Sequence, residues 1–258
     1  MQLRSVELTV PKLEEAARFL DNLWGLVPAG DEGQFRGTGT HPAILTLEEG
    51  APAIRSITFS GSAAEVRGRT DVRGPDGEVY RFIADEAPVV ARSDPDRPIR
   101  VTHVVLNTPD REASERFAVE VLGFAVSDRT RHMTFVRCNR KHHCVAYAKS
   151  ASPSLNHIAF EMKDVDAVMR GIARMREAGY EAVWGPGRHG PGNNVFGYFI
   201  APWGGVIEYT AEIAEVGANY KVGGPEDWQW PPGRIDHWGI SKKDTAKTGP
   251  AERLYRFR

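Results

Sequence analysis

Leu3 to Val10 alternates apolar and polar residues, the period of a strand with one buried face. Pro11 then opens a helix whose Leu13, Ala16, Ala17, Leu20 and Leu23 form one apolar stripe. After Gly25 the pattern breaks into short strands, with turns at residues 37–42 and at Glu49-Gly50, and Ile54 to Phe59 reads as a further strand. Gly74-Pro75-Asp76-Gly77 makes a tight turn into the strand Val79 to Ile83. Residues 84–98 are charged and contain proline, as a linker does, so a domain boundary is expected near residue 95.

Beyond that boundary the pattern starts again. The stretch from Leu3 lies on the stretch from Val101 without a gap, Pro11 falling on Pro109, Phe19 on Phe117 and Gly25 on Gly123. Ile54 to Phe59 falls on Leu155 to Phe160, and Gly74 to Phe82 on Ala201 to Tyr209. In the second copy Asp164 is placed to cap a helix with Val165, Val168, Met169, Ile172 and Met175 on one face, and Gly179 closes it. The matching part of the first copy, 61–69, is much shorter.

The end of the second copy reads as a hairpin. Phe196 to Ala201 and Val206 to Thr210 are strands joined by Pro202-Trp203-Gly204-Gly205, which sets Tyr198 and Glu208 on neighbouring antiparallel strands with His189 just ahead. The preceding Gly/Pro-rich run, 185–192, has neither a lysine nor a following helical pattern, so it reads as a turn and not as a phosphate cradle.

At three positions the copies differ in chemistry. His103 stands against Ser5, His157 against Ser56 and Glu208 against Arg81. Each histidine alone is more often a hydrogen-bonded core residue, and Glu208 alone an outward-facing strand residue. A carboxylate inside an apolar strand is costly to bury without a cation, however, and two histidines with one carboxylate leave open positions suited to Fe(II), with Mn(II) as the usual substitute.

Composition narrows the partners. Over 258 residues, 33 Lys and Arg balance 34 Asp and Glu without a long run of one sign, so no nucleic-acid or membrane surface is expected. Cys138 and Cys144 sit in apolar surroundings without metal-type spacing, as core residues in a reducing compartment do. With no signal-like or membrane-length apolar stretch, a cytoplasmic location is expected. The segment after Val222 is irregular and Trp/Pro-rich, too apolar to leave in water, and should pack back on the body.

The Gly-x-His, later Tyr, Ala-Pro-x-Gly and final Glu from Gly187 to Glu208 resemble, in order and spacing, the type I extradiol ring-cleaving dioxygenases of the vicinal oxygen chelate superfamily. The likeness spans roughly residues 1–220, with Gly197 standing where an apolar residue is usual. It implies an α+β fold of two tandem domains, each of paired βαβββ modules. Residues 1–94 would form a non-catalytic domain, 95–221 the catalytic metal-binding domain, and 222–258 a tail over the active-site mouth or at a subunit contact.

The resemblance also implies Fe(II) held by His103, His157 and Glu208, a catecholic substrate cleaved with O2 to a hydroxymuconic semialdehyde, and assembly as a homo-oligomer. His142-His143-Cys144-Val145-Ala146 is similar to the strand bearing the acid-base histidine. Alternation lets only one of the pair face the site, and the family spacing favours His143, while His189 and Tyr198 would hydrogen-bond substrate and oxygen. His41 and His132 are expected on the surface, and Asn193 and Asn194 in the shaping of a loop. Two other classes stay open: a glyoxalase-like isomerase or lyase, which needs four metal ligands, and a metal-free protein that sequesters a small molecule.

Overall fold

A computed structural model describes residues 1–257. β1 (Gln2–Val10) and α1 (Leu13–Phe19) form the strand-helix opening, and α1 continues through a π-helical turn, Leu20–Trp24, stopped by Gly25 at φ 99°. The wider turn shifts the phase of the stripe, so Trp24 is fully buried and Leu23 only half-buried. β2 (Val27–Pro28), β3 (Gln34–Arg36) and β4 (Leu45–Glu49) complete a βαβββ module, and β5 (Ala53–Gly61), a one-turn α2 (Ala63–Val66), β6 (Val72–Arg73) and β7 (Val79–Ala84) follow. They make one sheet, β2-β3-β4-β1-β5-β7-β6.

The second sheet carries two full modules. These are β8 (Arg100–Thr108), α3 (Arg111–Glu120), β9 (Ala125–Arg129), β10 (Met133–Arg137) and β11 (Val145–Lys149), then β12 (Ser154–Glu161), α4 (Val165–Glu177), β13 (Trp184–Arg188), β14 (Val195–Ile200) and β15 (Val206–Ala211). Its order is β13-β14-β15-β12-β8-β11-β10-β9. The duplication holds at the level of register: Val6 opposes Ile57 as Val104 opposes Ile158, and Thr58 opposes Arg81 as Ala159 opposes Glu208.

Asp164 accepts the Ala167 amide at 2.8 Å and caps α4, and Gly179 follows the helix at φ 86°. Met169, expected on the apolar face, is instead 42% exposed. Gly171 sits inward at the middle of the helix, where a Cβ would meet the Tyr209 ring at 2.9 Å, so the helix approaches β15 through a glycine. The run 185–192 is also corrected: its first part is strand β13, paired with β14, and only the residues from His189 to Asn194 turn.

A single buried cluster runs through both sheets, from Leu3, Val6 and Trp24 to Val104, Phe160 and Tyr209. α5 (Thr245–Ala251) and β16 (Arg256–Phe257) close the described chain, and β16 pairs with β5 at Ala53 and Ile54, adding an eighth strand to the first sheet. Cys144 is buried and Cys138 half-buried, and both thiols are free. No helix among the described residues is long and apolar enough to cross a membrane.

Candidate metal centre

Three adjacent strands set the site. His103 on β8 opposes Ala159 on β12, which in turn opposes Glu208 on β15, so His103 and Glu208 project from the same sheet face with only a methyl group between them. His157, two residues before Ala159, shares that face. A register shift between Leu155 and His157 leaves Asn156 out of the ladder. Its Oδ1 lies 2.8 Å from His157 Nδ1, which fixes the proton there and leaves Nε2 as a lone pair. Asn156 is held in turn by Asn107, and Asn107 by Ser154 and the Glu252 carbonyl.

The ligand atoms of His103, His157 and Glu208 all lie within 4.8 Å of one another. His103 Nε2 and His157 Nε2 are each 3.2 Å from Glu208 Oε2. His103 Nε2 is within hydrogen-bonding reach of the carboxylate, whereas His157 Nε2 is buried there without a hydrogen-bond partner. An orphaned imidazole lone pair beside a buried carboxylate fits a divalent cation. Burial opposes ionisation of Glu208, yet His103 and His157 hold its carboxyl well below the usual carboxylate range. Burial likewise lowers His157, which favours a neutral imidazole there beside the anionic carboxylate, the protonation state a metal requires of those two groups.

The triad opens onto a cavity of about 380 Å³. His143 lies at its edge with its ring centroid 4.3 Å from that of His103, and burial first, then the neighbouring histidines, push its pKa well down. Across the cavity His189 Nε2 and the Tyr198 hydroxyl are 2.9 Å apart. Burial lowers His189 to about 3 and raises Tyr198 well above its ordinary value, so both are neutral. Tyr198 is directly opposite Glu208 in the β14–β15 pair. Phe135, Met133, Trp184, Trp230 and Ile235 make the remaining wall largely apolar.

Several expectations change here. His142 and His143 precede β11 instead of lying on it, so alternation does not separate them; both are buried, and their Nδ1 atoms are 3.0 Å apart. His143 lines the cavity, and His142 sits behind it. Asn194 is no mere loop former: it is wholly buried, with Nδ2 2.8 Å from the Thr210 hydroxyl and 3.4 Å from Glu208 Oε1. His41 is half-buried, and desolvation, then Arg4, lowers it to about 4; His132 is exposed but stands at the cavity mouth. Gly197 leaves no gap beside Tyr198, since Ile172 of α4 occupies the place of its side chain, 2.7 Å from where a Cβ would be. From the tail, Trp230, Ile235 and Lys243 reach the cavity.

The corresponding place in the first sheet is filled by ion pairs. Ser56 donates to Glu7 at 2.9 Å, and Arg81 reaches both Glu7 and Asp71. Among the described residues the cluster on the second sheet is the one group of three or more metal-type ligands.

Against known proteins, the description that matches is the glyoxalase/bleomycin resistance protein/dioxygenase superfamily, over residues 100–209. A Mn(II)-bound glyoxalase from Novosphingobium aromaticivorans superposes with a TM-score of 0.84 at 30% identity, covering 95% of this chain and 93% of that one. The chain belongs to this superfamily. Within it, metapyrocatechase 2 of Cupriavidus necator is 36% identical over 139 residues, 53% of this chain and 41% of that protein. The 2,2',3-trihydroxybiphenyl dioxygenase of Sphingomonas paucimobilis is 30% identical over 170 residues, 60% of this chain and 58% of that protein. The matches thus span about half the length of these curated relatives. The paired βαβββ modules and the α+β class are those of the superfamily, and the superfamily match covers the β8 to β15 sheet that holds the triad.

Proposed function

We propose that the chain is an Fe(II)-dependent extradiol dioxygenase that opens a catecholic ring with O2 to a hydroxymuconic semialdehyde. The observation that carries this reading is the convergence of a three-ligand set, His143 and the His189–Tyr198 pair on one largely apolar cavity. The dioxygenase names of the metapyrocatechase and trihydroxybiphenyl relatives support it. His103, His157 and Glu208 would hold the ion, with Mn(II) as the substitute. When bound, the ion would supply the chemistry with dioxygen that no side chain offers.

The remaining work falls to the chain. His143 accepts a substrate hydroxyl proton and returns it later in the turnover, a two-way task suited to an imidazole kept neutral by burial. The Tyr198 hydroxyl and His189 hydrogen-bond the oxygens that gain charge, in a site whose apolar walls strengthen such bonds. Phe135, Trp184 and Trp230 hold the ring and exclude water. Residues 1–94 serve as a non-catalytic packing domain, 95–221 as the catalytic domain and 222–258 as a cover over the cavity. Assembly as a homo-oligomer and a cytoplasmic location complete the reading, and the two free thiols accord with a reducing compartment.

An isomerase reading is favoured by one observation, the glyoxalase name of the Novosphingobium relative. Three ligands, not four, speak against it. Oxygen uptake by Fe(II)-loaded protein with catechol and alkyl- or aryl-substituted catechols tests both. One O2 consumed per catechol, with a yellow ring-opened product, is expected. No uptake with any catechol, together with isomerisation of an α-keto hemithioacetal under anaerobic conditions, would replace this reading with the other.

A further inference from the structure

Behind His143 lies a buried hydrogen-bonded chain that the cavity does not touch. His143 Nδ1 is 3.0 Å from His142 Nδ1, and His142 Nε2 is 2.7 Å from Asp128 Oδ2. The three side chains are 3%, 1% and 0% exposed. Asp128, on β9, is fixed from the other side by the segment after the second sheet: the Tyr220 hydroxyl donates to Oδ2 at 3.0 Å and the Gly223 amide to Oδ1 at 2.7 Å.

The order of protons along this chain follows from what each atom can do. A carboxylate only accepts, so His142 Nε2 is the donor to Asp128. A neutral imidazole with its proton there presents Nδ1 as a lone pair. The facing Nδ1 of His143 must then carry the hydrogen, which leaves His143 Nε2 as the free lone pair; that atom makes no hydrogen bond to protein among the described residues. The ring is also braced, edge-on to Phe135 at 5.2 Å and against Gly192, where a Cβ would come within 3.0 Å of His143 Cε1.

We infer that Asp128 and His142 are positioning residues that set the tautomer and orientation of His143, with His143 Nε2 presented as an acceptor to the cavity. The inference rests on the reading of His143 as the group that takes the substrate proton. The resemblance offers no role for Asp128, and His142 entered it only as the rival to His143. The logic is that of a carboxylate that orients a histidine base, with a second imidazole inserted between them.

Asp128→Asn tests it with nearly unchanged shape. The Asn oxygen still accepts from Gly223, but its amide donates to His142 Nε2, which moves the His142 proton to Nδ1 and the His143 proton to Nε2. In the whole chain, 15N-labelled at histidine and loaded with diamagnetic Zn(II), the wild type should show His143 protonated at Nδ1 and the variant at Nε2. In the Fe(II)-loaded protein kcat should fall on the order of 10³-fold, while KM and bound iron stay within about threefold.

If Asp128→Asn folds poorly, His142 carries the test. His142→Gln can still donate to Asp128 and accept from His143, so it should keep activity within about tenfold, whereas His142→Leu should lose on the order of 10²-fold. A wild-type His143 protonated at Nε2, an Asp128→Asn protein with kcat near wild type, or equal losses for the Gln and Leu variants would overturn the inference. The tautomer spectra need no turnover. If they come out as stated while no catechol is consumed, the proposed reaction fails and the positioning of His143 stands.

Discussion

Trp24 of the first sheet's helical turn lies flat on Tyr209 of β15, ring centroids 3.7 Å apart and planes within 7°, and the Tyr209 hydroxyl donates to the Trp24 carbonyl at 2.7 Å. Tyr209 directly follows Glu208, so strand alternation puts the stack on the back of the strand that presents the carboxylate. Arg174 of α4 adds a bond to the same hydroxyl at 3.0 Å. The first half of the chain therefore meets the strand that carries Glu208 directly.

This contact gives the first prediction. Trp24→Ala should cost about 3–5 kcal/mol, since it empties a fully buried indole site that also touches Phe160 and Phe199. Because the ligands project from the opposite face, metal stoichiometry should not change. Urea unfolding beside metal analysis reads both, and a loss under 1 kcal/mol would show that the two halves do not depend on this stack.

Asn156 and Glu208 test the metal set. Glu208→Gln should leave no tightly bound ion, and Asn156→Ala, which frees the His157 Nδ1 proton from its partner, should weaken affinity by about 10- to 100-fold. Wild-type protein should bind close to one ion per chain, because Ser5, Ser56 and Arg81 stand where the first sheet would need ligands. A second tight ion that survives Glu208→Gln would overturn the account of the duplication.

The clustering of His103, His157 and Glu208 was legible in the sequence because a duplicated chain carries its own control: Ser5, Ser56 and Arg81 mark by contrast what those three residues add. Cβ alternation and gapless offsets were enough to bring them together, since their geometry depends on strand register alone. Asp128 was not legible. Ser127-Asp128-Arg129 reads as a polar edge strand, and its burial comes from Tyr220 and Gly223, more than 90 residues away. Asn194 was missed for a similar reason, because its side-chain role is set by Glu208 and Thr210 of β15 and not by its neighbours in a Gly/Asn-rich turn. The placing of His143 before β11 turned on a loop conformation that periodicity does not encode.

His143 supplies the third prediction. His143→Ala should retain iron, since the ring is not one of the three clustered ligands, and lose kcat on the order of 10²-fold. His189→Ala and Tyr198→Phe remove one member each of a neutral hydrogen-bonded pair and should lose less. Steady-state oxygen uptake with matched iron analysis decides it. A His143→Ala protein that loses its iron would make His143 a ligand instead.

The last prediction concerns pH and a site far from the metal. Glu78, 2% exposed beside the Tyr80 and Tyr147 hydroxyls that join the two sheets at 3.0 Å, has its carboxyl raised to about 7, chiefly by desolvation, with Asp76 adding to it. Its ordinary value in the unfolded chain is near 4.5, so between these values the folded state holds a proton that the unfolded state has released. Stability from this group is therefore fully present below about pH 4.5 and is lost as pH rises through about 7, beyond which the loss is constant. Other groups run the opposite way, the half-buried His41 with its lowered pKa among them, so the net profile is a poor test. The difference from Glu78→Gln isolates the carboxyl: the variant should gain on wild type by on the order of 3 kcal/mol between pH 4.5 and pH 7.5 in urea unfolding. A difference that stays flat across that range would mean that Glu78 ionises in the fold as readily as in water.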